Sequence, residues 1–197
     1  LIKRNKKYLY KDNLQTINLK NKFINSDGLY QNLCMAIKIA LDLGISKKKI
    51  ESAVPKIRVT GRLEYITKGG IAKKLFKNEK LLIDGCHSAV SAENFANYLK
   101  SLKAPKVGIF GMLKNKNPEE FIKKIKNIFD KVYIIPIDGQ RNFISPKYLK
   151  NICVKNGIKS EIAKNILHAI NKISSKEKKI ICLFGSLYLC GEFLKIN

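Results

Sequence analysis

Short apolar runs alternate with amphipathic segments between residues 80 and 197, and this alternation constrains the fold more than any other feature. The runs are apolar throughout rather than at every second residue, which is typical of parallel strands buried on both faces. We therefore predict an α/β fold, a Rossmann-like, mostly parallel sheet with helices on both faces. The predicted strands lie at residues 81–84, 107–110, 131–135 and 179–184, with a short extended piece near 158.

Helix boundaries in this region carry clear local signals. Asn117 is a good N-cap, Pro118 suits the first helical position, and the acidic residues that follow favour the positive end of the helix dipole. Ser145 and Pro146 open another helix in the same way, and Gly157 suits its end. Further helices are predicted over about 88–102, over about 160–173 and from residue 186 to the end.

The first 57 residues have a different pattern. Residues 8–23 are extended and partly alternating, residues 28–43 form an amphipathic helix, and a short helix from Ser46 ends before Pro55. This segment has too little core to fold alone. We predict that residues 1–57 are the tail of a preceding domain and that residues 58–197 form a second domain.

The formal net charge of +24 suggests an acidic partner such as nucleic acid. Lysine supplies nearly all of this charge, since the only arginines are Arg4, Arg58, Arg62 and Arg141. Proteins that recognise nucleic-acid bases favour arginine, whose guanidinium forms two parallel hydrogen bonds. The lysines of this chain are spread over every segment together with Asn and Ile, as AT-rich codon usage would produce. We predict no specific nucleic-acid function, although weak, salt-sensitive binding remains open.

The five cysteines are scattered, odd in number and form no CxxC pair, which indicates a reduced, cytoplasmic protein and argues against a zinc site. No apolar run approaches the ~20 residues of a membrane span, so no membrane association is expected. The sequence begins with Leu and has no signal-peptide pattern, which suggests a fragment or a processed product.

A polar pentapeptide, residues 84–88 (DGCHS), follows the first strand of the predicted sheet. Ligands of open α/β sheets bind beyond the carboxyl ends of the strands, where Asp84 could accept from hydroxyl groups and His87 could face a cleft. The same residues also suit a plain strand-to-helix turn with a cap. The pentapeptide alone favours the plain turn.

Taken in order, several motifs resemble the folylpolyglutamate/dihydrofolate synthases of the Mur-ligase superfamily over nearly the whole chain. The resemblance implies a Mur-ligase C-terminal domain at residues 58–197, preceded by the end of the central ATP-binding domain. The motifs are residues 28–32 (GLYQN), 60–64 (TGRLE), 84–88 (DGCHS), 111–117 (GMLKNKN) and 185–192 (GSLYLCGE).

Matched position by position, the resemblance implies an ATP site and a glutamate site. Asn32 corresponds to the family's adenine contact and Arg62 to an arginine that reaches the ATP phosphates. Asp84 and His87 correspond to neighbouring nucleotide contacts, and Ser186 to a residue near the glutamate. No catalytic residue and no metal ligand is assigned within the chain.

The implied activity is an ATP- and Mg²⁺-dependent ligation in folate biosynthesis and one-carbon metabolism. ATP converts a carboxylate of folate or dihydropteroate to an acyl phosphate, which the amine of L-glutamate then attacks. The chain has no GxxxxGK[ST] phosphate loop, and the family's Mg²⁺ ligands belong to an N-terminal region. We therefore expect a monomer that is inactive alone and that works with a separate N-terminal ATPase part.

Some motif positions depart from the family pattern. The histidine of the family's first motif is replaced by Leu29 or Tyr30, and the Asn-Pro after the motif histidine has become Ser88 and Ala89. Asn117 replaces an aspartate. A catalytically dead remnant, a basic module that binds nucleic acid, and a Mur ligase for cell-wall precursors therefore stay open as alternatives.

Overall fold

The computed structural model describes residues 1–4, 7–12 and 15–197, which divide into two compact units, Leu1–Thr60 and Gly61–Asn197. The sequence alone placed the boundary between residues 57 and 58. No helix in the described part of the chain is both long enough and apolar enough to cross a membrane.

The first unit contains a three-stranded antiparallel sheet of order β1-β2-β3, followed by two helices and a 3-10 turn. The buried Asn21 ties the turn to the segment after the sheet, because its amide donates to the Val54 and Ile57 carbonyl oxygens at 2.6 and 2.9 Å. The elements are β1 (Ile2–Arg4), β2 (Lys7–Lys11), β3 (Thr16–Asn18), α1 (Asp27–Asp42), α2 (Lys47–Ala53) and the turn Val54–Lys56.

Helix α1 begins at its N-cap Ser26, whose hydroxyl accepts from the Leu29 N–H. Its inner face buries Tyr30, Leu33 and Ile37 in the core of the first unit. An apolar stripe on the opposite side, formed by Met35, Ile39 and Leu43, is 66%, 57% and 76% exposed. This spacing of four residues places the three side chains on one face, which we call the α1 stripe.

The second unit contains a six-stranded sheet of order β4-β5-β9-β6-β7-β8, in which only β4 is antiparallel to its neighbour. The predicted α/β class with a mostly parallel sheet is thus confirmed. The strands are β4 (Glu64–Ile66), β5 (Glu79–Asp84), β6 (Lys106–Phe110), β7 (Lys131–Ile134), β8 (Ser160–Ile162) and β9 (Lys179–Phe184). The helices are α3 (Ala89–Lys100), α4 (Pro118–Lys124), α5 (Pro146–Lys155), α6 (Ile166–Ile173) and α7 (Leu187–Ile196).

Both faces of this sheet are covered, because alternate strand residues pack on different helices. Leu81, Ile83 and Leu183 belong to a core that includes residues of α6 and α7. On the other face, the Phe184 ring lies at the centre of an aromatic cluster. Its centroid is 5.0 to 6.2 Å from those of four other rings, Phe95, Phe110, Phe121 and Phe129.

One predicted helix boundary is wrong. The sequence pattern extended a helix from about residue 160 to 173, whereas Ser160–Ile162 forms strand β8 and the helix begins only at Ile166. Pairing with β7 on one side holds this edge strand, and the Asn165 side chain then caps α6 by accepting from the His168 N–H at 2.9 Å.

The start of β5 is fixed by a buried carboxylate. Glu79 accepts from the Phe76 N–H, the Ser175 N–H and the Ser174 hydroxyl at 3.0, 2.9 and 2.6 Å. The Lys179 ammonium, at the start of β9, lies 3.9 Å away. These donors compensate the removal of the charge from water.

We predict that Phe184→Ala lowers the free energy of unfolding by about 3–5 kcal/mol, because it removes a fully buried ring and leaves a cavity. Urea denaturation measures this difference. Phe76, which is 42% exposed, is the control, and Phe76→Ala should cost less than about 1 kcal/mol. Equal losses for the two variants would contradict the central position of the Phe184 ring.

Candidate functional site

The carboxyl ends of three adjacent strands, β5, β9 and β6, meet at one edge of the six-stranded sheet. Asp84, Phe184 and Phe110 are paired in register, so the loops that follow them begin at the same level. Gly185, with φ of +109°, brings the loop after β9 so close to β6 that a Cβ atom there would lie 2.3 Å from the Gly111 carbonyl oxygen. Only glycine fits this approach.

A cavity of about 230 Å³ opens at this edge. It brings together two of the predicted site residues, His87 and Ser186, with Lys116 and Tyr188, which the sequence motifs contained but did not single out. The remaining lining residues are Leu113, Asn115, Gly185 and Leu187.

The loop after β5 orients His87. Its N–H donates to the Ser91 hydroxyl at 3.0 Å, and its Nδ1 lies 2.8 Å from the Gly85 carbonyl oxygen. A carbonyl can only accept, so Nδ1 carries the proton and Nε2 is left as an acceptor in the neutral ring. Ser88 caps α3, as the plain-turn interpretation of the motif expected.

Ser186 is buried and forms the N-cap of α7, where its hydroxyl accepts from the Tyr188 N–H at 3.1 Å. The positive end of the α7 dipole therefore lies at the cavity, together with the Lys116 side chain. A cation and a helix N-terminus in one cavity suit a ligand that carries a carboxylate or phosphate. The Nε2 acceptor of His87 suits a hydrogen-bond donor on the same ligand.

Asp84 is buried and engages both carboxylate oxygens. Oδ2 accepts from the Leu63 N–H at 2.8 Å and Oδ1 from the Cys86 N–H at 2.7 Å. Burial nevertheless raises the pKa of Asp84 above its ordinary value, while the two backbone donors and the positive charge of Arg62 act in the opposite direction.

Arg62 lies in a tight turn, and this turn is next to Asp84. Gly61 and Leu63 on either side of it have φ of +68° and +46°. The Gly61 N–H donates to Glu64 Oε2 at 2.9 Å, and the Gly61 oxygen accepts from the Gly85 N–H at 2.7 Å.

The predicted residues thus fall into three places. Arg62 lies close enough to Asp84 for their charges to interact, and His87 with Ser186 lines the cavity. Asn32 is exposed on α1 in the first unit. Among the described residues, no group of three or more His, Cys, Asp or Glu side chains could hold a metal ion.

Comparison with known proteins bears on this arrangement. The family described as "Dihydrofolate synthetase, C-terminal domain" matches residues 69–196. Dihydrofolate synthetase of Saccharomyces cerevisiae is 25% identical over 167 residues, which cover 79% of this chain and 39% of that protein. The chain therefore spans well under half the length of this relative.

Solved structures give the same match. Folylpolyglutamate synthase from Thermotoga maritima aligns with a TM-score of 0.70 at 26% identity, over 93% of this chain and 43% of that one. Folylpolyglutamate synthase from Mycobacterium tuberculosis, solved with ADP and AMPPCP, aligns with a TM-score of 0.76 over 91% of this chain and 42% of that one. At 15% identity, the second match supports the fold alone.

The raised pKa of Asp84 gives a pH dependence with a defined sign. The unfolded chain releases this proton near the ordinary value of 3.8, and the folded chain releases it only at higher pH. The contribution of Asp84 to the free energy of unfolding is therefore greatest below that value. It decreases as the pH rises to the folded pKa, and it is constant above.

Urea denaturation of the wild-type chain and of Asp84→Asn, from about pH 3.5 to about pH 8, measures this contribution because Asn does not titrate. We expect the wild-type free energy of unfolding, minus that of the variant, to fall across the lower part of this range. A difference that rises with pH would show that the backbone donors outweigh burial.

Proposed function

The chain belongs to the dihydrofolate synthetase family through its C-terminal domain, and on that basis we propose that it is part of an ATP-dependent ligase that joins L-glutamate to folate or dihydropteroate. The observation that carries this proposal is the grouping of Arg62, Lys116 and the α7 N-terminus at Ser186 in loops at one edge of the sheet. A ligase that handles a triphosphate and an amino acid needs anion-binding groups of this kind.

Arg62 is the proposed contact to the ATP phosphates. Arg62 is half-buried, and its positive charge acts on the buried Asp84 carboxylate. A permanently charged fork that is partly removed from water is suited to phosphate oxygens. Asn32 is the proposed adenine contact, and Asp84 and His87 complete the nucleotide group that the family pattern implies.

The cavity at the start of α7 is the proposed glutamate site. Lys116 and the helix N-terminus would hold a carboxylate of the amino acid, with Ser186 fixing the first turn of the helix. Catalysis in this reaction is mainly positioning and charge neutralisation, so these residues would bring the amine to the acyl phosphate. The Mg²⁺ expected of the family would find no group of three or more His, Cys, Asp or Glu side chains among the described residues.

We further propose that the chain makes no acyl phosphate alone, because its sequence has no phosphate-binding loop. The partner would be an N-terminal ATP-binding part, and the relatives are long enough to contain one, since this chain covers only 39% and 43% of two of them. The α1 stripe supports this proposal, since a solvated face with three large apolar side chains favours burial against another folded surface.

The departures from the family motifs at Ser88, Ala89 and Asn117 favour a second candidate, a catalytically dead remnant. A remnant would bind neither nucleotide nor partner. Nucleotide binding that depends on Arg62, and folate-dependent phosphate release in a mixture with an ATP-binding part, would distinguish the ligase from a remnant.

We predict that Arg62→Gln weakens binding of ADP and AMPPCP roughly tenfold, because a charge-assisted contact to phosphate is lost. NMR titration measures this weakening even when affinities are low. Arg141 is the control, since it is exposed in another loop and Arg141→Gln removes the same charge. Equal weakening of nucleotide binding by both variants would show that the effect arises from net charge and not from a contact of Arg62.

We predict that mixing the chain with a separately produced ATP-binding part gives phosphate release from ATP that requires dihydropteroate or folate and glutamate. Within that mixture, Ile39→Ser in the α1 stripe should weaken the complex roughly tenfold, because a large apolar contact is lost. Val154→Ser, an exposed site on α5, is the control and should change nothing. A stable complex of equal stoichiometry that shows no such activity would count against the ligase.

A further inference from the structure

Two separate parts of the chain supply most of the lining of the cavity. One is the start of α7, residues 186–188, which we call the helix wall, and the other is the loop after β6, residues 113–116, which we call the loop wall. The proposed carboxylate contact takes one group from each wall, the α7 N-terminus and the Lys116 ammonium. Its strength therefore depends on the distance between the two walls.

The loop after β7, residues 135–145, is paired with the loop wall. Leu113 forms an isolated antiparallel bridge with Phe143, and the Lys114 N–H donates to the Asn142 carbonyl oxygen at 2.9 Å. Backbone pairing of this kind fixes the position of one segment against the other. A displacement of the loop after β7 would therefore move the loop wall with it.

The same loop is attached to α7 through Glu192. The Glu192 Oε2 atom, in the second turn of that helix, accepts from the Asp138 N–H at 3.0 Å. The loop turns next to this bond, where the Gln140 N–H donates to the Ile137 oxygen at 3.3 Å and Gly139 has φ of +71°. One loop thus joins the helix that forms one wall of the cavity to the segment that forms the other.

Glu192 contributes an acceptor oxygen to this arrangement more than a negative charge. Burial raises the pKa of Glu192 above its ordinary value, and the nearby Asp138 carboxylate raises it further, while the Asp138 N–H acts in the opposite direction. The folded chain therefore disfavours the charged form of this side chain. A neutral side chain with an oxygen in the same place could make the same hydrogen bond.

We propose that Glu192 is a positioning residue for the proposed glutamate site, because through the loop after β7 it holds the loop wall, and with it Lys116, at a fixed distance from the α7 N-terminus. This inference rests on the proposed function. Glu192 is half-buried and is not one of the residues that line the cavity, so it acts without touching the amino acid.

Two substitutions at this position separate the hydrogen bond from the charge. Glu192→Gln removes the charge and keeps an oxygen that can accept from the Asp138 N–H, whereas Glu192→Ala removes both. A role in positioning predicts that Gln replaces Glu and that Ala does not. Glu177→Ala is the matched control, since its side chain is 88% exposed before β9, at the opposite edge of the sheet, and carries the same charge.

The test is phosphate release from ATP in the mixture of this chain with an ATP-binding part, at varied L-glutamate and varied ATP. We expect Glu192→Ala to raise the KM for glutamate roughly tenfold and to leave the KM for ATP unchanged. Glu192→Gln and Glu177→Ala should stay within about twofold of the wild-type chain.

Three outcomes would overturn the proposal. An unchanged KM for glutamate in Glu192→Ala would show that the loop does not set the site. Equal increases for Ala and Gln would assign the effect to charge, and an equal increase in the KM for ATP would indicate general damage to the fold.

Amide hydrogen exchange of the chain alone tests the connection without any ligand. In Glu192→Ala, the Asp138 and Lys114 amides should both exchange roughly tenfold faster, with the Ile180 amide of β9 unchanged. Faster exchange confined to Asp138 would overturn the proposal, because the loop would then not hold the loop wall. If the wild-type mixture releases no phosphate, the proposed function fails, and these exchange rates still decide whether Glu192 holds that wall.

Discussion

The level ends of three hydrogen-bonded strands determine the rest of the second unit. Asp84, Phe184 and Phe110 are register partners, so three neighbouring strands end at the same level of the sheet. Parallel pairing makes these ends the place where loops converge and where helix N-termini point. A slip of one residue in β9 would turn Phe184 from the aromatic face toward α6 and α7, and would displace Ser186 from the cavity.

The edge combines a rigid base with polar side chains that still have binding capacity. Its base is backbone, since no Cβ atom would fit between Gly185 and the Gly111 carbonyl oxygen, and its walls carry Lys116, His87 and Tyr188. Asp84 belongs to the rigid part because both of its oxygens are occupied by backbone donors. Arg62 belongs to the binding part, so a cation is carried next to a support that hydrogen bonds hold in place.

The sequence was sufficient for features that depend on local chemistry. Asn117 and Ser145 begin helices as the sequence predicted, and the apolar runs became buried strands. Ser186, predicted as a glutamate contact, is also the N-cap of α7. Strand β8 was missed because its three residues are held by pairing with β7, which no local pattern encodes. The occupied oxygens of Asp84 were also beyond prediction, since one donor, Leu63, is distant in sequence.

Strand β5 carries a buried carboxylate at each end, Glu79 at its start and Asp84 at its finish, and each is matched to donors from other segments. A shift of β5 by two residues would keep its apolar side chains on the correct faces, so hydrophobic burial alone could not reject that misalignment. It would, however, carry both carboxylates away from their donors into an apolar interior, at a cost of several kcal/mol each. The two acids therefore favour the native alignment of β5 over shifted alignments that the hydrophobic core would tolerate.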